Sequence, residues 1–203
     1  MQIGILGTGN VAQTLAGRWL AAGHKITYGS RDPMGKGDLG APVAPLAAAV
    51  ENTDVVVNAT PGPASLEIVE RVGAPAFAAK VLVDVANQAS PSFDELVYPN
   101  SSVAEKLQAA LPEAKVVKTM NTAAMTVMTE PGSLPPSTVF LSGDDADAKA
   151  TVTSLLEDFG WPGESIVDLG GIASARGPEH FVLLFGALMR SLGTPKFNIR
   201  IVT

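Results

Sequence analysis

The chain has 203 residues and a formal net charge of −6, from 14 lysines and arginines against 20 acidic side chains. Its basic residues form no cluster dense enough to follow a nucleic-acid backbone, and no apolar stretch is long enough to span a bilayer. The absence of cysteine excludes disulfides, thiol nucleophiles and zinc–thiolate sites, and neither of the 2 histidines has acidic neighbours at metal-ligand spacing. We therefore expect a cytoplasmic protein with no metal, nucleic-acid or membrane partner.

The start of the chain has the pattern of a strand, a tight turn and a helix. An apolar run, Ile3 to Leu6, ends at a Gly-Thr-Gly turn and is followed directly by a helical pattern. Gly7 permits the turn, Gly9 lets a pyrophosphate approach the backbone, and Ala12 takes the third small position of the G-x-G-x-x-G/A fingerprint. The N–H groups and the dipole at the start of such a helix attract phosphates. The stretch therefore predicts a dinucleotide-binding site.

The residues after the second strand, Lys25 to Gly29, indicate which dinucleotide is bound. An NAD site has an Asp or Glu here for the ribose 2′-OH, whereas this chain has Ser30 and Arg31. A hydroxyl beside an arginine suits a 2′-phosphate, and Lys36 offers a second cation. We expect the nearby Asp32 to point outward. The pattern favours NADP.

Strand and helix patterns then alternate along the chain. A Gly/Pro-rich loop, 35–45, leads to a short helix, Leu46 to Glu51. Further strands are expected at Asp54 to Ala59, Lys80 to Val85, Ala114 to Thr119, Thr138 to Ser142 and Ser165 to Leu169. Further helices are expected at Ala64 to Val72, from a capping box at Ser102 and Glu105 to Ala110, at Asp144 to Phe159 and at Ala173 to Leu192. Pro91 and Pro99 discourage a continuous helix over 87–100, and Phe197 to Val202 alternates as an edge or pairing strand does.

This order predicts an α/β protein of Rossmann type, a doubly wound, mostly parallel sheet with a short C-terminal helix–strand extension. We expect a single NAD(P)-binding domain over 1–203. Within it, 1–120 forms the dinucleotide-binding core, and 121–203 forms the acceptor side and the C-terminal cap or dimer region.

With these elements placed, the chain resembles the F420-dependent NADP oxidoreductases, also called NADPH-dependent F420 reductases. The resemblance is carried by GILGTGNVAQTLAGRWLAAGHKITYGSRDP, VVKTMNT, VFLSGDDADAK and the closing stretch from DLGGIASAR to GTPKFNI. It spans nearly the whole chain in order. The middle block is also similar to the cytoplasmic reductase domain of the STEAP metalloreductases, which share this fold but pass electrons through a flavin to a membrane haem.

The resemblance implies how the cofactor binds. The pyrophosphate would be cradled by Thr8, Gly9, Asn10 and Val11, directly after the turn that Gly7 permits. The 2′-phosphate would be held by Ser30, Arg31 and Lys36. The nicotinamide would lie along Ala59, Thr60 and Pro61, with Asn87 and Ala123 nearby, and the deazaflavin ring of F420 would stack on its free face.

The chain departs from the family pattern in the acceptor pocket. Archaeal members have a His two residues ahead of an Ile-Pro pair, whereas this chain reads Asn-Thr-Ala-Ala from Asn121. The departure leaves flavin, deazaflavin or another hydride acceptor open.

The candidate site contains no His/Asp dyad. Hydride transfer between a dihydropyridine and a flavin-like ring needs stacked rings at close distance rather than a strong acid or base. Thr60 and Asn121 are therefore our candidate catalytic residues. Lys118, in the strand before Asn121, is the remaining candidate, as a proton donor whose pKa would respond to burial.

Three functions remain open at this point. The leading hypothesis is an NADPH-dependent oxidoreductase with F420 as acceptor. The second is an NADPH-dependent reductase of a flavin, a carbonyl or an imine. For a carbonyl or an imine, Lys118 or Asn121 would donate the proton. The third is a non-enzymatic NADP(H) sensor.

Two further expectations concern Arg176 and the oligomeric state. Arg176 is interpreted equally as binding an acidic tail of the acceptor or as forming a salt bridge. The family resemblance implies a homodimer.

Overall fold

A single eight-stranded sheet with strand order β3-β2-β1-β4-β5-β6-β7-β8 runs through the molecule. The structure is a computed structural model, and it describes residues 1–90 and 92–202. The strands are β1 Gln2–Leu6, β2 Lys25–Ser30, β3 Val43–Pro45, β4 Val55–Asn58, β5 Val81–Asp84, β6 Lys115–Thr119, β7 Val139–Ser142 and β8 Ile166–Asp168. All neighbouring pairs are parallel except β6 with β7.

Helices cover both faces of this sheet. They are α1 Asn10–Ala21, α2 Leu46–Glu51, α3 Gly62–Val72, α4 Val103–Ala110, α5 Met125–Thr129, α6 Ala146–Glu157 and α7 Arg176–Leu192. No helix within 1–90 and 92–202 is long and apolar enough to cross a membrane.

The core has two apolar clusters because successive strand residues point to opposite faces of a sheet. Val55 and Val57 of β4 belong to one cluster, in which the rings of Trp19 and Phe159 stack at 4.8 Å. Val56, between them in sequence, belongs to the other cluster. The three valines of β4 are therefore buried on both faces of the sheet, as residues of parallel strands are in doubly wound folds.

The position of β1 determines where a ligand can bind. The chain winds from β1 through β2 to β3 on one side, and then returns to place β4 on the other side of β1. The reversal opens a crevice beyond the carboxyl ends of β1 and β4, which is the usual ligand site of such sheets. The predicted fold class is thus confirmed.

Two expectations about the loops and the terminus are wrong. The expected loop 35–45 contains β3, a three-residue strand that pairs with Tyr28 to Ser30 of β2.

The second wrong expectation concerns the C-terminal segment, because the expected strand Phe197 to Val202 does not form. That segment makes one backbone bond to the residue before β7, from Thr138 N–H to the Ile199 carbonyl at 2.8 Å. The Asn198 side chain donates to Ser137 Oγ and the Thr138 carbonyl, so side-chain bonds take the place of a ladder. Pro91 lies outside the described residues.

Candidate active site

The glycine turn after β1 has the geometry that a dinucleotide site needs. Gly7 has φ +112°, and a Cβ there would lie 2.9 Å from the Ala59 carbonyl oxygen, so the position requires glycine. Gly9 is the N-cap of α1, and a Cβ built on it would meet no atom within 4 Å. The backbone at the start of α1 therefore faces open space, which a phosphate can approach.

This open space belongs to a cavity of about 990 Å³ at the carboxyl ends of the strands. The volume is at the upper end of the range of about 300–1,000 Å³ that is typical of ligand sites. Every residue predicted to bind the cofactor contributes to its lining: Gly7, Thr8, Gly9, Asn10, Val11, Ser30, Arg31, Lys36, Ala59, Thr60, Pro61, Asn87 and Ala123. The structure thus brings together residues from five segments that are far apart in sequence, at the ends of β1, β2, β4, β5 and β6.

The cations are confined to one end of the cavity. Arg31, Asp32 and Lys36 are the charged residues among the described residues that line it. Asp32 does not simply point outward, since it contributes to the lining. Its Oδ1 accepts from the Gly35 N–H at 3.0 Å, and its own N–H donates to Ser30 Oγ at 3.1 Å. The aspartate therefore shapes the loop that carries both cations.

A buried polar network lies beneath the Ala59 to Pro61 segment. Asn58, at the end of β4, donates from Nδ2 to Ser65 Oγ at 2.9 Å and to Asp84 Oδ1 at 2.8 Å. The Thr60 hydroxyl donates to Asn58 Oδ1 at 2.6 Å. Thr60, expected as a catalytic residue, therefore has its hydroxyl proton committed to this network. The network fixes the backbone on which we expect the nicotinamide to rest.

Asn87 and Asn121 form a reciprocal pair at the ends of β5 and β6. Asn87 Nδ2 donates to the Asn121 carbonyl at 2.8 Å, and Asn121 Nδ2 donates to Asn87 Oδ1 at 2.9 Å and to the Pro178 carbonyl at 2.9 Å. Met120, just before Asn121, has φ +60° and is buried. A left-handed conformation is costly for a side chain of this kind, so the turn is held by the surrounding structure.

Lys118 does not reach the cavity. Its side chain is 1% exposed, and its ammonium contacts Asp84 Oδ2 at 2.8 Å, Glu179 Oε1 at 2.9 Å and the Ala86 carbonyl. Burial opposes the charged form, but the two carboxylates outweigh it and raise the pKa of Lys118 above its ordinary value. The structure therefore places this catalytic candidate among structural partners rather than at the site.

Glu179 of α7 is the residue that sequence reasoning missed. It is fully buried, and it accepts from the N–H groups of Val103 and Ala104 at 2.8 and 3.1 Å. Burial raises the pKa of its carboxyl, against the opposing effect of Lys118. Only the buried charge of Lys118 in an apolar strand gave a signal that a carboxylate partner was needed.

The opposite half of the cavity is apolar. Its wall is formed by Phe93, by Val182, Phe185 and Met189 of α7, and by Pro195; we call this group the apolar wall. The rings of Phe93 and Phe185 lie 6.4 Å apart, and Phe185 lies 4.9 Å from Phe197. Such a surface suits a flat, largely apolar ring system.

Arg176 forms the salt bridge that was one of its two interpretations. Its guanidinium contacts both oxygens of Glu105, with Nε to Oε2 at 2.8 Å and Nη2 to Oε1 at 2.7 Å. This contact is the largest cause that lowers the pKa of Glu105. Arg176 is not among the described residues that line the cavity.

Comparisons with known proteins show which family the chain is similar to. Residues 2–88 match the family model described as NADP oxidoreductase coenzyme F420-dependent. A solved protein of Arthrobacter sp. FB24, proposed to be an F420-dependent NADP reductase, is 36% identical, with both chains covered at 100% and a TM-score of 0.92. The metalloreductase STEAP3 of Rattus norvegicus is 30% identical over 181 residues, or 88% of this chain, which spans 36% of that relative's length.

More distant structures share the fold alone. The imine reductase of Myxococcus stipitatus, solved in complex with NADP+, has a TM-score of 0.68 at 16% identity, covering 95% of this chain and 63% of the other. Together the fold, the site and the relatives define an NADP-dependent oxidoreductase. The chain belongs to the family of F420-dependent NADP oxidoreductases.

Proposed function

We propose that the protein transfers hydride between NADP(H) and a flavin-like acceptor, and that this acceptor is coenzyme F420. The observation that carries the proposal is the continuity of the cavity, which joins a glycine turn and two cations at one end to the apolar wall at the other. Two ligands, one bound at each end, would bring their reacting rings into contact near the middle of the cavity. The family membership independently favours F420 as the second ligand.

Different residues at the cofactor end would bind different parts of NADP(H). Gly9, Asn10 and Val11 would hold the pyrophosphate, because the start of α1 presents free backbone N–H groups to open space. Arg31 and Lys36 would hold the 2′-phosphate by charge-assisted hydrogen bonds. Bound NADPH would supply the hydride. The residues around Thr60 would then support its nicotinamide from below.

The catalytic contribution of the chain is positioning. Charged groups among the described lining residues are confined to the cofactor end, so the apolar wall offers no ionised acid or base. Holding two reacting rings in contact, with water excluded, lowers the barrier without a proton relay. Asn87 and Asn121 would fix the middle of the cavity, where the two rings meet.

The reduction of a carbonyl or imine is a weaker proposal for this site. That chemistry gains from a placed proton donor. The two donors considered for it, the Lys118 ammonium and the Asn121 side-chain amide, are both engaged in contacts within the protein.

The experiment that tests the proposal follows NADPH oxidation with F420, FMN, FAD and no acceptor in parallel, and then repeats the best reaction with NADH. We expect turnover with F420 and a preference for NADPH. Turnover with FMN or FAD alone would make the protein a flavin reductase. Tight NADPH binding without turnover of any of them would contradict the proposal.

We also propose a homodimer, in keeping with the family resemblance. Three large apolar side chains, Leu184 and Leu192 of α7 and Ile201 beyond it, are 53%, 56% and 50% exposed. Pairing of two copies would cover apolar side chains of this kind. Light scattering at working concentration tests the assembly.

A further inference from the structure

We propose that Lys118 and Glu179 form a positioning device that sets the distance between two sides of the cavity. One side is the segment Ala59 to Pro61, which we call the cofactor floor, and the other is the apolar wall. The inference rests on the proposed function, because it assumes that the acceptor binds against this wall. Neither residue touches the cavity, so each would act through the elements that it ties together.

The Lys118 ammonium is fully used by three acceptors. Its three N–H groups are matched by Asp84 Oδ2, Glu179 Oε1 and the Ala86 carbonyl. Two of these acceptors lie at the end of β5, and the third lies on α7. The ammonium is therefore a joint between the sheet and α7.

On the α7 side, Glu179 is held from two directions. Its carboxylate binds the first two N–H groups of α4, from Val103 and Ala104, in addition to Lys118. These helix-start donors have no partner within their own helix, and they favour a negative charge. The neighbouring Pro178 carbonyl accepts from Asn121, so the start of α7 is fixed at adjacent residues.

The positions of the wall residues on α7 depend on how Glu179 is held. Val182, Phe185 and Met189 lie three, six and ten residues after Glu179, on one side of the same helix. Met189 is about 15 Å along the helix axis from Glu179 at 1.5 Å per residue. A small tilt at Glu179 is therefore a larger displacement at Met189.

On the sheet side, Asp84 connects the joint to the cofactor floor. Asp84 Oδ1 accepts from Asn58 Nδ2 and from the Ala86 N–H, at 2.8 and 3.2 Å. Asn58 holds the Thr60 hydroxyl, and Ala86 precedes Asn87. One continuous set of buried contacts thus runs from α7 to the residues under the expected nicotinamide.

This network is suited to positioning rather than to proton delivery. The Lys118 protons are all committed, and the Asn58 side-chain amide stands between Asp84 and Thr60. A carboxamide does not relay protons as a hydroxyl or a water does, because it does not readily release and regain one. The charge of Lys118 therefore serves geometry.

Two variants of Glu179 separate length from charge. Glu179→Asp keeps the charge but shortens the side chain by one methylene, whereas Glu179→Gln keeps the length and removes the charge. Glu157→Gln is the matched control, because Glu157 is exposed on α6 and far from the network in sequence. Each variant is assayed well below its own Tm, with kcat and KM for F420 and the Kd for NADPH measured separately.

We expect Glu179→Asp to lower kcat/KM for F420 by about 10- to 100-fold, since a displacement near 1 Å can cost this much. The Kd for NADPH should stay unchanged, and Glu157→Gln should match the parent protein. Normal kinetics in Glu179→Asp would overturn the proposal, because Glu179 would then only neutralise the buried charge of Lys118. Equal losses in F420 turnover and NADPH binding would also overturn it, because they indicate general disruption.

Hydrogen exchange keeps the test independent of the acceptor. If the parent protein turns over no acceptor, the proposed function fails, but the joint is still measured by amide exchange in α7. We expect Glu179→Asp and Glu179→Gln to speed exchange at 182–189 without changing α1, which carries the glycine turn. Unchanged exchange in α7 would contradict the positioning role.

Discussion

The side chains of Asn87 and Asn121 exchange hydrogen bonds across the ends of β5 and β6, each donating to the other residue at 2.8 and 2.9 Å. Asn121 Nδ2 also donates to the Pro178 carbonyl. The pair therefore joins two strand ends to the start of α7 in the middle of the cavity. A site that works by positioning depends on junctions of this kind.

Removing the Asn121 amide should test this junction. Asn121→Ala leaves Asn87 Oδ1 and the Pro178 carbonyl without their donor, and we expect a loss of about 1–3 kcal/mol in the free energy of unfolding. Turnover of the acceptor should fall more than NADPH affinity. Urea denaturation and steady-state kinetics measure the two effects. Asn52→Ala, at the exposed end of α2, serves as control. Unchanged stability would show that the bonds contribute little.

The two glycines of the turn should respond differently to alanine. Gly7→Ala forces a Cβ to 2.9 Å from the Ala59 carbonyl at φ +112°, so we expect a destabilised protein. Gly9→Ala meets no neighbour within 4 Å and should keep its Tm. Its added methyl would nevertheless fill the space that the pyrophosphate needs, so NADPH binding should weaken. Thermal unfolding and calorimetric titration separate the cases. Full NADPH affinity in Gly9→Ala would place the pyrophosphate elsewhere.

Arg31 should distinguish NADPH from NADH. We expect Arg31→Ala to weaken NADPH binding by about 1.5–3 kcal/mol, the range for a hydrogen bond to a charged group, with little change for NADH. Titration with both cofactors measures the difference. Arg18→Ala, on the exposed side of α1, controls for the loss of one positive charge. Equal losses for the two cofactors would show that Arg31 does not bind the 2′-phosphate.

The contact between Arg176 and Glu105 should make stability depend on acidity. Arg176 lowers the pKa of Glu105 from its ordinary value of 4.5. The contact therefore stabilises the folded protein fully above pH 4.5, and this stabilisation is lost as the pH falls through the folded-state pKa. The Tm difference between the parent protein and Arg176→Ala should therefore be largest near neutrality and shrink below about pH 4.5. Calorimetry from pH 7 to pH 3 measures it. A constant difference would mean that the lost contact is not electrostatic.

The sequence predicted those parts of the molecule that depend on local pattern. Ser102 accepts from the Glu105 N–H at 3.0 Å, as the capping pattern indicated. The helix Leu46–Glu51 has the predicted bounds. The strand at Val43–Pro45 was missed because its three residues sit in a Gly/Pro-rich loop and pair only through the edge of β2.

The parts that depend on distant contacts could not be predicted. Lys118 was interpreted as a possible donor because its partner Glu179 is far away in sequence and comes from α7. Nothing in the strand 114–119 specifies which helix covers it. Likewise, the alternating pattern of Phe197 to Val202 fits a strand, but the bonds of Asn198 to Ser137 and Thr138 replace the ladder.

Isotope transfer is the most direct test of the claim that hydride passes between two ligands in one cavity. NADPH deuterated at C4 on one face or the other is reacted with F420, and the reduced deazaflavin is analysed by mass spectrometry. Its C5–H bond does not exchange with water, so we predict one deuterium in the product from one of the two labelled cofactors. Product without deuterium from either cofactor would contradict direct transfer and with it the proposed arrangement of the site.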